Sequence, residues 1–406
     1  MKLLHTADIH LGIDTHGRLD PATGLSTRLQ DFQRSFDFMV ERALAENVDA
    51  FLFAGDAYRT ADPTPTHQRL FVECLRPLLE ARIPVAMIVG NHDHPVSFGK
   101  ASALDIFQFL EGEVHVYTRP GLHTLQTKSG PLQLIALPWP IRSGLLAREE
   151  MRGKTPSEIR DLIEQRYGAL AEEFAGQCDP ALPTVLMGHF SVLGAELGGS
   201  ERSSLIAHEP KLLASALAVP PVDYVALGHI HRHQDLNPGG VPVVYASSIE
   251  RVSFKEMDDD KGFVLVDIDQ AKPAGLRATY EFVPTPARRF VSLVADARGQ
   301  ADPTEAILAA ISKANIADAV VRVRYVVGEE GAARVEVKRL REALAPAYAV
   351  AAVERTVEVA ERQRRTVVTR ELSLRDALER YVAQRDELAP LKERLVEAGL
   401  GLEGES

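Results

Sequence analysis

Residues 3–10 read Leu3-Leu4-His5-Thr6-Ala7-Asp8-Ile9-His10, a short apolar run that ends on an Asp-x-His pair. A run of this length reads as a buried strand over 3–7, with its two polar residues falling where the strand stops. The same design recurs four times along the chain. The apolar run 50–55 leads into Asp56, 85–90 into Asn91-His92-Asp93, 184–188 into His189, and 224–228 into His229-Ile230-His231. Helical patterns over 27–46, 66–81 and 157–174 lie between these runs, whereas the stretch before residue 157 reads as irregular. Strands alternating with helices predict an α/β fold with a partly parallel sheet, and ligands of such sheets bind beyond the strand C-termini. The strand patterns at 243–245 and 262–268 have no helix between them, which predicts an antiparallel portion or a second sheet.

The residues at these strand ends are metal-ligand types. Asp8, His10, Asp56, Asn91, His189, His229 and His231 supply one amide oxygen, two carboxylates and four imidazoles. A spacing of two, as in Asp8/His10 and His229/His231, puts both side chains on one side of an extended segment. Seven donors exceed what one tetrahedral or octahedral ion takes but suit two ions that share a carboxylate. Such a pair clamps a phosphodiester and lowers the pKa of a water between the ions. Mixed nitrogen and oxygen donors without thiolate fit Mn²⁺, Fe²⁺ or Zn²⁺. Two divalent ions, Mn²⁺ foremost, are the expected cofactors.

A single Asp-x-His or Gly-Asp pair carries almost no information, but five motifs in this order resemble the calcineurin-like metallophosphoesterases. His5-Thr6-Ala7-Asp8-Ile9-His10-Leu11-Gly12, Gly198-Gly199-Ser200-Glu201-Arg202, Ile249-Glu250-Arg251 and Lys261-Gly262-Phe263 are similar to one branch of that family. That branch comprises the bacterial double-strand-break repair nucleases that work with an SbcC-type ATPase. The resemblance covers about residues 1–270. It implies a sandwich of two mixed β-sheets flanked by helices, with a small α+β capping domain and a C-terminal helical hairpin. It also implies Asp8, His10 and His231 on one ion, Asn91, His189 and His229 on the other, and Asp56 bridging them. His92 would stabilise the transition state or protonate the leaving oxygen, with Asp93 orienting its imidazole. Some relatives carry a second catalytic histidine three positions after the bridging Asp, where this chain has Arg59. The implied activity is exonuclease and endonuclease hydrolysis of DNA by water activated at the ion pair. The implied partners are DNA, the SbcC-type ATPase and a second copy of the chain.

The rest of the sequence bounds this reading. At 406 residues the chain is long enough for two or three domains, placed at 1–281 (metallophosphoesterase), 282–357 (capping, DNA-binding) and 358–406 (linker and ATPase-binding helices). After Pro284 and Pro286 the pattern changes to strand, helix, strand, helix, strand over 290–353. The formal charge of -11 argues against a nucleic-acid partner only at first sight. Residues 1–281 hold 26 Lys and Arg against 37 Asp and Glu, so the deficit lies in the segment that would bind cations, and bound cations attract phosphate. Met1-Lys2-Leu3-Leu4 runs into His5 and Asp8 without the apolar stretch of a signal peptide, and no run approaches a membrane span. A soluble, cytoplasmic, nucleoid-associated protein is expected. Cys74 and Cys178 have no metal or redox spacing and read as core thiols. Among the remaining histidines, His5 reads as packed in the first strand and His67 as solvated. His16, His94, His115, His123, His208 and His233 read as surface or loop residues.

In the tail, Leu374, Leu378, Tyr381 and Val382 share one helical face, as do Leu388, Leu391 and Leu395. Arg362, Arg364 and Arg365 read as a solvated linker. Two rival functions are a calcineurin-like enzyme for another ester and a catalytically silent scaffold. Protein phosphatases of this kind follow Gly-Asp with Asp-Arg-Gly, whereas Gly55-Asp56 precedes Ala57-Tyr58-Arg59-Thr60 here, and a silent scaffold would have lost ligands that this chain keeps.

Overall fold

The structure, a computed structural model, describes residues 1–94, 100–141, 150, 152–198, 209–358, 374–383 and 390–401. The chain divides into two compact units. The first comprises Met1–Leu293, Ile311–Val323 and Arg341–Val353; the second comprises Val294–Ala310, Arg324–Leu340 and Glu354–Ser406.

In the first unit β1 (Lys2–Thr6), β2 (Ala50–Phe53), β3 (Val85–Ile88) and β4 (Val114–Tyr117) form a parallel array. Helices α1 (Thr27–Ala45) and α2 (Pro65–Glu80) make the first two crossovers. Next come β5 (Gly121–Thr127) and β6 (Gly130–Leu137), an antiparallel hairpin, and α3 (Pro156–Gln177). They are followed by β7 (Thr184–His189), the short parallel pair β8 (Ser191–Val192) and β9 (Lys211–Leu212), and β10 (Tyr224–Gly228). The unit's remaining sheet strands are β11 (Gln234–Asp235), β12 (Val243–Tyr245), β13 (Gly262–Ile268) and β14 (Ala278–Pro284). Two six-stranded sheets result, in the orders β14-β13-β1-β2-β3-β4 and β11-β12-β10-β7-β6-β5. Each is mixed, with a parallel centre and antiparallel strands at an edge.

Alternation of side chains along these strands explains the layering. Leu3, Leu52, Ala54, Ala86 and Ile88 of the first sheet pack against Leu134, Ala136, Val185, Met187 and Ala226 of the second. The opposite face of the first sheet, with Leu4, Phe51, Phe53 and Met87, covers Phe32, Phe36, Met39, Phe71 and Leu75 of α1 and α2. The outer face of the second sheet buries Ile163, Tyr167 and Ala171 of α3. Strands buried on both faces carry nearly continuous apolar sequence, which is why these runs stand out. α3 starts with Thr155 and Glu158 exchanging backbone bonds in a capping box and with Pro156 in its first turn.

The stretch read as irregular contains β4, β5 and β6. The turn Lys128-Ser129 and the breakers Gly121, Gly130 and Pro131 interrupt its apolar pattern, so the alternation stays too short to announce strands. Cys74 and Cys178 are buried free thiols.

Beyond Pro284 lie β15 (Phe290–Asp296), α4 (Pro303–Ser312), β16 (Val320–Gly328), α5 (Val337–Ala343) and β17 (Ala349–Glu358), the strands forming a sheet of order β15-β16-β17. In the second unit α6 (Leu374–Ala383) and α7 (Lys392–Gly401) pack on each other, with Val382 and Val396 buried and Leu391 and Leu395 exposed. Arg362, Arg364, Arg365, Leu388, His208 and Gly199 to Arg202 lie outside the described residues, as do the side chains of Leu374 and Tyr381. Among the described residues no helix is long and apolar enough to cross a membrane.

Candidate metal centre

The C-terminal ends of β1, β2, β3, β7 and β10 supply all five motifs. Beyond β1 and β2 the two chain segments continue side by side, with Asp8 N donating to Gly55 O at 2.9 Å and His10 N to Asp56 O at 3.1 Å. Four of the candidate residues adopt the left-handed region there: Asp8 (φ 54°), His10 (φ 52°), Asp56 (φ 61°) and His229 (φ 95°). Such backbone costs a non-glycine residue of order 1–3 kcal/mol and clusters at functional sites. Gly90 is required for a different reason. A Cβ there would stand 2.1 Å from the Asp56 carboxylate and 2.6 Å from its backbone nitrogen.

The donor atoms meet in overlapping sets. Asp8 lies with Asp56 and His189, and a His92 nitrogen with His10 and Asp56, the atoms of each of these sets within 4.8 Å of one another. Two further sets follow the expected division. In one, Asp8, His10 and His231 converge, each offering an atom within 4.8 Å of the others. His10 Nε2 faces His231 Nε2 at 2.9 Å, and the Asp8 carboxylate accepts the His229 N–H at 3.0 Å. In the other, Asn91 Oδ1 lies 3.0 Å from His189 Nε2 and 3.1 Å from His229 Nδ1. Asp56 Oδ2 stands between the groups, 3.7 Å from His10 Nε2 and 3.4 Å from His189 Nε2. His189 Nδ1 donates to Ala54 O at 2.6 Å, which turns its Nε2 toward Asp56 and Asn91.

Burial pushes the Asp56 carboxyl up, but the imidazoles of His189 and His10 outweigh it and hold it well below the usual carboxylate range. Burial would likewise lower His189; the Asp56 charge overrides it and raises the imidazole to about 9. Desolvation raises Asp8 and lowers His10. Among the described residues no Lys or Arg nitrogen lies within 4.0 Å of Asp8 or Asp56. Lone pairs facing one another at these distances are relieved by a proton or a cation between them, so the donor set fits divalent metal ions.

His92 is exposed at the rim. Its Nδ1 lies 2.7 Å from Arg59 O, its backbone N–H donates to Asp56 Oδ1 at 2.9 Å, and its ring stands edge-on to His10 at 4.9 Å. Asp93 does not orient the His92 ring. Its carboxylate accepts N–H groups from Asp56 (2.7 Å), Ala57 (2.9 Å) and Gly90 (3.1 Å), knitting the loops after β2 and β3 together. Burial and the nearby Asp56 charge push its carboxyl up to about 7. The Arg59 side chain is exposed, and what Arg59 contributes to the centre is its carbonyl.

Three contacts carry no signal in the motifs. Glu209 Oε2 is 2.8 Å from His229 Nε2, Glu256 Oε1 is 3.1 Å from His231 Nδ1, and the Trp139 ring lies 5.1 Å from that of His229. Glu209 and Glu256 look like ordinary surface acids in the sequence, while Trp139, the chain's one tryptophan, is the feature that could have been noticed.

The profile of the calcineurin-like phosphoesterase family matches residues 1–233, which include every donor named above except Glu256. The SbcD component of the SbcCD nuclease from Bacillus subtilis (strain 168) is 30% identical over 292 residues, 70% of this chain and 69% of that protein. The SbcD component from Rhodobacter capsulatus is 30% identical over 351 residues, 78% of this chain and 77% of its own. A solved dimetal phosphatase from Danio rerio aligns at 11% identity with a TM-score of 0.41, covering 69% of this chain and 98% of that one. With a profile spanning more than half its length and SbcD relatives at 30% identity, the chain belongs to the calcineurin-like phosphoesterase family as an SbcD-like member.

Proposed function

We propose that the chain is a metal-dependent DNA nuclease that hydrolyses phosphodiester bonds at a two-ion centre. In this reading Asp8, His10 and His231 hold one ion, Asn91, His189 and His229 the other, and Asp56 both. The observation that carries it is the meeting of seven donors from five strand ends in overlapping sets, with Asp56 between His10 and His189. When bound, the ions supply Lewis-acid polarisation of the phosphate and a nucleophile available at neutral pH.

The protein's own part is positioning and proton transfer. With Nδ1 engaged by the Arg59 carbonyl, His92 keeps Nε2 to bond a phosphate oxygen or hand a proton to the departing one. Asp93 keeps the loops bearing Asp56 and Asn91 in register. The strained backbone at Asp8, His10, Asp56 and His229 fixes the donors before substrate arrives. DNA is preferred over another ester because the relatives are named as nuclease components. Residues 282–357 serve as the capping, DNA-contacting segment, and the exposed Leu391 and Leu395 favour partner binding by the tail.

Purified full chain with Mn²⁺ should shorten single-stranded DNA and double-stranded ends, and a chelator should abolish this. Hydrolysis of a simple phosphomonoester with DNA left intact would contradict the assignment. A chain ended after Val357 should no longer co-elute with an SbcC-type ATPase on size exclusion; continued co-elution would remove the tail from the partner interface.

A further inference from the structure

We propose that Glu256 and Lys261 act as a buried positioning pair that fixes the His231 imidazole with its Nε2 lone pair toward His10. This rests on reading the centre as a metal site.

Glu256, in the short helical turn Phe254–Glu256, and Lys261, at the start of β13, are both fully enclosed. Lys261 Nζ lies 3.0 Å from Glu256 Oε2, and the same ammonium donates to the backbone carbonyl of His231 at 2.9 Å. The other Glu256 oxygen faces His231 Nδ1 at 3.1 Å. One ion pair therefore holds both ends of a single residue, the carbonyl through Lys261 and the ring through Glu256. A carboxylate paired with a buried ammonium is an acceptor, so the proton of His231 belongs on Nδ1. Nε2 is then left as a lone pair, and it faces His10 Nε2 at 2.9 Å. The Ser247 hydroxyl donates to the same His231 carbonyl at 2.9 Å, from a residue whose φ is 87°. A buried charge pair contributes little net stability by itself, so its placement against one imidazole calls for another account. A carboxylate behind a ligating histidine fixes the tautomer and the ring orientation and raises the basicity of the nitrogen that binds metal.

The test is a Mn²⁺ titration of the full chain by calorimetry. Wild type should take up two ions. Glu256→Gln keeps the size of the side chain and removes its charge, and it should weaken one ion by about ten- to a hundredfold while leaving the other unchanged. A folded variant with the wild-type isotherm, or with both ions weakened equally, would overturn the proposal. Should Glu256→Gln not fold, nitrogen NMR of histidine in the unaltered, Zn²⁺-loaded chain decides. A proton on Nδ1 of His231 supports the proposal, and a proton on Nε2 overturns it. A wild-type chain that binds no Mn²⁺ would defeat the metal reading of the centre and this inference with it, whereas two ions unaffected by Glu256→Gln would defeat the inference alone.

Discussion

At Asp31 a buried carboxylate meets three guanidiniums, those of Arg28 and Arg288 buried and that of Arg34 half-exposed; at Asp56 an equally buried one meets imidazoles and a second carboxylate, that of Asp8. Arg28 lies 2.7 Å from Asp31 and Arg288 lies 2.5 Å from it, while Glu250 accepts from Arg28 at 3.2 Å, from the Ser35 hydroxyl at 3.1 Å and from the Arg288 backbone at 2.9 Å. That cluster is electrically closed and ties α1 to the strap after β14. The Asp56 cluster has the same burial but no fixed cation among the described residues. Buried carboxylates whose cationic partners are imidazoles that can release their protons can exchange those protons for metal ions, which guanidiniums cannot do, so the contrast separates a cluster built for cohesion from one built to receive cations.

The contrast predicts that changes at the two clusters register in different observables. The largest effect is expected at the rim of the open one. His92→Gln should slow DNA cleavage by about 10²- to 10⁴-fold, the range typical of general acid catalysis, while the chain still binds two Mn²⁺. Cleavage near the wild-type rate would show that His92 carries no proton or phosphate contact in the reaction. The next concerns the closed cluster. Asp31→Asn removes the carboxylate shared by two buried guanidiniums, leaving Arg28 with Glu250 and Arg288 with Asp318, and should lower stability by about 1.5–3 kcal/mol in urea denaturation, with Mn²⁺ stoichiometry intact. Loss of an ion from a folded Asp31→Asn chain would erase the distinction between the two regions.

Much of the centre was legible because each donor follows an apolar strand directly, so a linear pattern marks a meeting point in space. His5 shows the other side of that logic. It is buried 3.0 Å from the Tyr224 hydroxyl and 3.2 Å from Leu227 O, and burial lowers its imidazole to about 3, which marks a neutral core histidine. Its place inside β1, before the strand end, was the sequence signal for that role. Contacts made across the fold were not legible. Glu256 reaches His231 from 25 positions away, and the Ile249-Glu250-Arg251 motif gains meaning only when Glu250 meets Arg28 and Ser35, more than 200 positions earlier. The role expected of Asp93 failed because adjacency in sequence said nothing about which neighbour its carboxylate would accept from. Strands β4 to β6 escaped because glycine and proline divide their apolar residues into runs too short to show a period.

Anomalous diffraction from crystals of the full chain soaked in Mn²⁺ tests the two-ion centre most directly. Two peaks about 3.5–4 Å apart are expected. One should touch Asp8, His10 and His231, the other Asn91, His189 and His229, and Asp56 should touch both. A single peak at saturating Mn²⁺, or two peaks with Asp56 bound to neither, would contradict the account.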